Sequence, residues 1–171
     1  MANKFFDTDL DLDSDLLTSD VEVSTIKSLT NKELAESLDS PITICYNLAD
    51  IDNTKYGFGQ VFEQKDTRFY FSTMRKFTAN SLNTLFEHRH EYHLYRSVVK
   101  GNLFKVLTSI YPNLTKGILP EIYHFALYTA ENEVADRSKG IRSPRIYFVL
   151  ADYGRIYPLF FDPYHELNPM Y

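Results

Sequence analysis

The stretch from Arg145 to Ala151 restricts the fold of this chain more than any other part of the sequence. It reads Arg-Ile-Tyr-Phe-Val-Leu-Ala and is apolar at both odd and even positions, a pattern that predicts a central strand covered on both faces. The Asp-Tyr-Gly sequence at 152–154 then predicts a tight turn. Pro158 has no N–H to donate, so we expect the returning strand to lie at an edge or to contain a bulge.

Size and composition indicate one domain with an aromatic core. The chain has 171 residues, enough to bury a core without disulfides, and its 13 Tyr and 13 Phe residues favour a sheet over a helix bundle. We therefore expect residues 23–171 to form a single α+β domain, with an antiparallel sheet of about five strands packed against two or three helices.

Hydrophobic periodicity and turn residues predict the other elements. Strands are expected at 42–48 and 122–129, together with a hairpin formed by 56–64 and 67–74. Helices are expected at 30–38, from Thr78 to a break at Gly101, and from Leu103 to Ile110. The polar segment 130–144 is expected to be an exposed loop.

Residues 1–22 are expected to be an acidic, flexible arm. An acid occupies every second position from Asp7 to Asp15, and five like charges in nine residues repel one another. A calcium loop is disfavoured, because its sixth position would be Leu12 instead of Gly and its twelfth Thr18 instead of Glu. The alternative is an arm that packs on something basic, including this protein's own body.

Charge is divided unevenly along the chain. The formal net charge is −5, yet residues 51–171 contain 15 bases against 12 acids, a net charge of +3. There is no signal-peptide pattern and no run of 18 apolar residues, so we expect a cytoplasmic protein that does not enter a membrane. The sequence also lacks a nucleophile elbow, a Walker loop, a kinase signature and paired Cys ligands, and we expect no metal and no other cofactor.

Two basic clusters are candidate phosphate-binding sites. His90 and His93 are three residues apart, whereas a zinc-binding helix needs His at i and i+4, so the first cluster is interpreted as a basic or merely solvated helical face. The loop 137–145 has four bases in nine positions, a common means of holding phosphate, although an ordinary exposed loop is the alternative.

Two further histidines are candidates for acid–base catalysis. His124 lies in an apolar run, where a histidine is more often a satisfied core residue, but its pKa suits proton transfer near neutrality. His165 follows Asp162 and Pro163, so Asp162 could orient His165 as a general base. The same residues also suit the end of a strand.

Residues 120–167 resemble the last hairpin of RelE-type toxins and related small ribonucleases of toxin–antitoxin modules. The resemblance lies in a strand that begins Arg-Ile-Tyr-Phe, a turn at Tyr-Gly and a returning strand that ends with His. It implies RNA cleavage without a metal, in which basic side chains hold phosphates and a Tyr, His, Arg or acidic group moves the 2′-hydroxyl proton. It further implies that Arg142 and Arg145 contact phosphate and that Tyr147 or His165 lies near the scissile bond.

The leading prediction is a nucleic-acid-directed protein, a metal-independent endoribonuclease of toxin type with RNA as its partner. The predicted catalytic residues are His124, Arg145, Tyr147, Asp162 and His165, and the predicted RNA-contacting residues are Arg89, His93, Arg96, Arg137, Lys139 and Arg142. The alternative is a non-enzymatic interaction or inhibitor protein, of phage or mobile-element type, that binds a basic protein through its acidic N-terminal region. A third possibility is a homodimer paired through aromatic edge strands.

Overall fold

A computed structural model describes residues 38–114, 119–129 and 134–168. The helices and strands of that part, in chain order, are β1 (Thr43–Ile44), α1 (Gln64–Thr78), α2 (Leu82–Glu87), β2 (Tyr95–Arg96), α3 (Gly101–Ile110), β3 (Ile122–Ala126), β4 (Arg145–Leu150) and β5 (Arg155–Asp162). The predicted acidic arm, and the helix predicted at 30–38 apart from its last residue, lie outside the described residues. None of the helices in the described ranges is long and apolar enough to span a bilayer.

The five strands form one mixed sheet in the order β1-β5-β4-β3-β2. The β1–β5 pair is parallel, and the other three pairs are antiparallel. The predicted α+β fold, with a mostly antiparallel sheet and three helices, is therefore confirmed.

The β4–β5 hairpin lies at the centre of the sheet. All six residues of β4 are buried, as its apolar character at both odd and even positions predicts. Tyr147 pairs with Phe160 but Phe148 pairs with Pro158, so Leu159 is an extra residue that forms a bulge. The predicted bulge beside Pro158 is thus present, and β5 still pairs with β1 along its other side.

Helices cover both faces of the sheet. On one face, Ile146 and Phe148 belong to a buried cluster that includes residues of α1 and α2. On the other face, Tyr147 and Val149 pack with residues of α3. Because side chains alternate along a strand, Arg145 lies on the same face as Tyr147.

The hairpin predicted at 56–64 and 67–74 is wrong, because residues 64–78 form α1. Asp66, Tyr70, Met74 and Phe77 are buried at helical spacing, and this amphipathic pattern outweighs the strand preference of the aromatic residues. Asp66 also stabilises the first turn, where its Oδ2 accepts a hydrogen bond from the Glu63 N–H at 2.9 Å.

The long helix predicted from Thr78 to Gly101 is also wrong. α1 ends at Thr78, and a separate short helix, α2, begins after Ser81, whose Oγ accepts a hydrogen bond from the Thr84 N–H at 3.4 Å. The later part of the predicted helix contains β2, which pairs with β3. Gly101 is the first residue of α3, where its φ is 53°.

Both edges of the sheet are short. β1 covers only Thr43–Ile44 of the strand predicted at 42–48, and β2 is equally short. Short edges offer few backbone groups for pairing with another chain. Dimerisation through an edge strand is not tested by the structure of one chain and stays a prediction. The helix predicted from Leu103 to Ile110 is confirmed as α3. The strand predicted at 122–129 is present as β3 but ends at Ala126.

Candidate acid–base site

Three histidines that are distant in sequence lie close together. His124 of β3 and Tyr147 of β4 are partners in the antiparallel register, and their ring centroids are 5.5 Å apart. The ring of His165, which follows β5, lies 6.0 Å from that of His124. His93 is near enough to both rings to lower the pKa of each by repulsion. We call this group the histidine cluster, and it consists of His93, His124, Arg145, Tyr147, Asp162 and His165.

Two opposite charges, Arg145 and Asp162, face each other across β4 and β5. Their exposed fractions are 4% and 0%. Nη1 of Arg145 donates to the carbonyl oxygens of Ser143 at 3.0 Å and Tyr128 at 3.4 Å. Burial lowers the pKa of Arg145 and raises that of Asp162, because an apolar environment disfavours either charge.

The imidazoles of the cluster are neutral at neutral pH. Burial, with added repulsion from Arg145, lowers the pKa of His124 to about 3 and that of His165 to about 4. Burial and then Arg145 also lower the pKa of His93. All three rings are therefore unprotonated near pH 7, but low pKa values also make His124 and His165 weak bases in the unliganded protein. A bound anion would raise these pKa values, because a negative charge favours the imidazolium.

Two polar atoms of the cluster, Tyr147 Oη and His165 Nε2, are buried and have no hydrogen-bond partner. Such atoms are uncommon, and each costs about 1–3 kcal/mol of stability. Burial raises the pKa of Tyr147 well above its ordinary value, so its hydroxyl keeps its proton and remains a donor. The Asn168 backbone favours the protonated ring of His165, but burial outweighs it and keeps the pKa of this ring low. Nε2 of the neutral ring is the atom left without a partner.

Two residues of the cluster have a left-handed backbone conformation. The φ angles are 47° at His93 and 55° at His165, and Tyr153 is the other non-glycine residue of the described ranges with a positive φ. Each such conformation costs of the order of 1–3 kcal/mol, and such residues are concentrated at functional sites.

Asp162 holds the backbone on both sides of His165. Its carboxylate accepts hydrogen bonds from the Tyr164 N–H at 3.2 Å and the Leu167 N–H at 2.9 Å. The sequence predicted that Asp162 orients His165, and these bonds give it a means of doing so through the backbone.

Ser97 was not identified from the sequence, although its Oγ lies 2.8 Å from Nδ1 of His124. Tyr95 was also missed, and its hydroxyl lies 3.1 Å from Nδ1 of His90. Both residues lie in or next to β2, in a segment for which the sequence predicted a helix. The aromatic and β-branched residues of Tyr-Arg-Ser-Val-Val at 95–99 favour a strand and could have indicated it.

Most of the predicted RNA-contacting cations are paired with carboxylates of this chain. The surface ion pairs are Arg96 with Glu121, Arg137 with Glu166, and Lys139 with Asp136. Arg89 is exposed, whereas His93 belongs to the histidine cluster. The described part of the predicted loop, 134–144, contains a 3-10 turn at Arg137–Lys139.

Arg142 joins that loop to the start of α1. Its guanidinium donates to Glu63 Oε1 at 2.6 Å and to the carboxylate of Asp66, which is fully buried. Tyr128 Oη donates to the other carboxylate oxygen of Asp66 at 2.8 Å. These contacts give Arg142 a role in holding the fold together.

Within the described ranges, no three His, Cys, Asp or Glu side chains are placed so that they could hold a metal ion. Comparison of the chain with protein-family models, curated proteins and solved structures finds no match. Its function is therefore inferred from the chemistry of the histidine cluster.

Proposed function

We propose that this protein is an endoribonuclease that cleaves RNA at the histidine cluster without a metal ion. The observation that carries the proposal is the pair of unpartnered atoms, Tyr147 Oη and His165 Nε2, near the guanidinium of Arg145. RNA supplies the matching groups at one bond, because its phosphate accepts hydrogen bonds and carries negative charge, while its 2′-hydroxyl offers a proton.

His165 is the general base in the proposed reaction. Its Nε2 takes the 2′-hydroxyl proton while the 2′-oxygen attacks phosphorus and the bond to the 5′-oxygen breaks. Tyr147 donates a hydrogen bond to a non-bridging oxygen, and Arg145 stabilises the developing negative charge, which is most effective where water is excluded. The products are a 2′,3′-cyclic phosphate and a 5′-hydroxyl.

His124 protonates the leaving oxygen. The phosphate charge raises the pKa of His124 from its low value, so that an imidazolium forms once RNA is bound. Ser97 Oγ can accept the Nδ1 hydrogen of that imidazolium over the observed 2.8 Å. Asp162 positions His165 through the backbone and does not touch the reacting atoms.

The second candidate function is a non-enzymatic protein that binds a basic partner. It is favoured by the ion pairs of Arg96, Arg137, Lys139 and Arg142, because these cations are already compensated within the chain. The net charge of −5 also suits a basic partner better than it suits RNA. The two functions differ in whether the purified protein degrades RNA.

The test is cleavage of labelled single-stranded RNA by the purified full-length protein in EDTA. We expect His165→Gln to lower the rate at least about 100-fold, a typical contribution of a general base. The matched control is His88→Gln, because the side chain of His88 is 59% exposed and lies outside the cluster. Absence of cleavage by the wild-type protein, with a basic protein co-purifying, would favour the second function.

A further inference from the structure

We propose that the exposed face of α1 binds single-stranded RNA and leads it to the histidine cluster, an inference that rests on the proposed function. Successive residues of a helix with 3.6 residues per turn are 100° apart, and the residues of this face lie within an arc of about 160°. In order around the helix, the residues are Phe71, Gln64, Arg75, Arg68, Ser72, Lys65, Lys76 and Phe69. We call this arc the α1 face.

The α1 face is strongly basic. All four of its cations are exposed, and the helix's single acid, Asp66, is buried on the opposite side against Arg142. The ion pairs formed among the described residues use cations outside α1. The α1 face therefore keeps its positive charge for an external anion, unlike the cations predicted from the sequence to bind RNA.

Exposed aromatic rings border the cations on both sides. Phe71 is 63% exposed and Phe69 is 39% exposed. An open hollow of about 730 Å³ lies beside Phe69 and is lined by Gln64, Lys65, Arg68, Phe69 and Ser72. Cations that follow a backbone, with rings on which bases stack, are the usual features of single-strand binding surfaces.

Tyr128 connects the α1 face to the histidine cluster. Its ring lies 4.9 Å from the ring of Phe69, and Lys65 Nζ lies 4.4 Å from its centroid. The carbonyl oxygen of the same residue accepts a hydrogen bond from Nη1 of Arg145 at 3.4 Å. An RNA strand that stacks on Phe69 and Tyr128 therefore reaches the end of β4 at which Arg145 lies. To enter the histidine cluster it passes around this end to the other face of the sheet.

An acidic peptide would satisfy the cations but would leave the two exposed rings without a role. RNA uses both, because each nucleotide carries one phosphate and one base. Single-stranded RNA is therefore the better match, and an acidic peptide with the sequence of residues 7–15 serves as the competing ligand in the test.

The test measures binding of full-length protein to a single-stranded 2′-O-methyl oligouridylate of about 12 nucleotides, within the range of small single-strand sites. This probe has no 2′-hydroxyl to attack, so its binding does not depend on cleavage. We expect the double variant Arg68→Gln/Arg75→Gln to weaken binding and to reduce the slope of log affinity against log salt by about 1.4, since each single-strand phosphate contact contributes about 0.7. Phe69→Ala and Phe71→Ala should each weaken binding about 5- to 150-fold and leave the slope unchanged.

The matched controls are Lys105→Gln, which removes an exposed charge from α3, and Tyr153→Ala, which removes a ring that is 69% exposed. Both should bind like the wild type. The inference would be overturned if the α1 variants bound the oligonucleotide as tightly as the wild type. It would also be overturned if the wild type bound the acidic peptide and did not bind the oligonucleotide. If the wild type cleaves RNA but the α1 variants bind the oligonucleotide as the wild type does, the role of the α1 face is refuted and the proposed catalysis is not. Oligonucleotide binding without any cleavage would instead refute the proposed catalysis.

Discussion

His124 and Tyr147 face each other across β3 and β4, with 5.5 Å between ring centroids and 33° between ring planes. Neither side chain is more than 3% exposed. Their neighbour His165 completes a group in which a hydroxyl and a ring nitrogen are buried without partners. Tyr70 Oη and Arg142 Nε are also buried without a partner, but within the described ranges only in the histidine cluster do two such atoms lie near a third titratable ring. A ligand bound there would supply the missing partners.

Tyr147→Phe should separate stability from activity. The change removes a buried hydroxyl that has no partner, so the free energy of unfolding should stay the same or rise, by up to about 1–3 kcal/mol. RNA cleavage should fall, because a donor to the phosphate is lost. Urea unfolding and a cleavage assay check both results, and a stable variant with full activity would exclude Tyr147 from the site.

Stability should decrease as the pH falls, because His124 resists protonation in the folded protein. Its pKa is about 3 when folded and about 6.5 in an unfolded chain. Between these values the unfolded chain binds one more proton at this residue, so His124 alone lowers the free energy of unfolding by about 1.4 kcal/mol per pH unit below pH 6.5. His124→Gln should reduce this slope and His88→Gln should not, as measured by urea unfolding at several pH values. Equal slopes for His124→Gln and the wild type would contradict the buried, neutral imidazole.

Arg142→Ala should destabilise the fold strongly. It removes the cation beside Asp66, which is 0% exposed, and an uncompensated buried charge costs about 3–5 kcal/mol. Lys139→Ala is the control, because Lys139 forms an exposed pair with Asp136 at 3.5 Å, and exposed pairs contribute about 0–1 kcal/mol. If Arg142→Ala instead keeps its stability and loses RNA affinity, Arg142 contacts phosphate as the sequence predicted.

Gly154→Ala should be more damaging than Gly101→Ala, although both positions have a positive φ, 71° and 53°. A Cβ at Gly154 would lie 2.7 Å from the carbonyl oxygen of Pro41, whereas a Cβ at Gly101 would meet nothing within 4 Å. Left-handed strain alone costs about 1–2 kcal/mol, and the backbone clash adds to it only at Gly154. Thermal or urea unfolding of the two variants gives the difference, and equal losses would show that the turn does not pack against Pro41.

The central hairpin could be predicted from sequence because its signals are local. The apolar run of β4, the glycine of the turn and Pro158 each act over a few residues. α1 could not be predicted in the same way, because its Phe-Tyr-Phe sequence at 69–71 has strand preference. Its helical state depends on distant packing, such as that of Phe77 against Phe125, with 4.9 Å between ring centroids.

The members of the histidine cluster were predicted individually, but their assembly was not. His124 and Tyr147 become neighbours through strand register, which local sequence does not specify. Ser97 was missed because the segment around it was interpreted as helix. The carboxylates that pair with Arg137 and Arg142 are far from them in sequence, so these ion pairs could not be predicted from the loop 137–145 itself.

The most direct test of the account is the chemistry of the product ends. Full-length protein in EDTA should convert single-stranded RNA to fragments with 2′,3′-cyclic phosphate and 5′-hydroxyl ends, and a single 2′-deoxy nucleotide should block cleavage on its 3′ side. His165→Gln should lose these products while keeping its fold by circular dichroism. Cleavage at the deoxy position, 5′-phosphate ends, or an undiminished rate for His165→Gln would contradict catalysis by the histidine cluster.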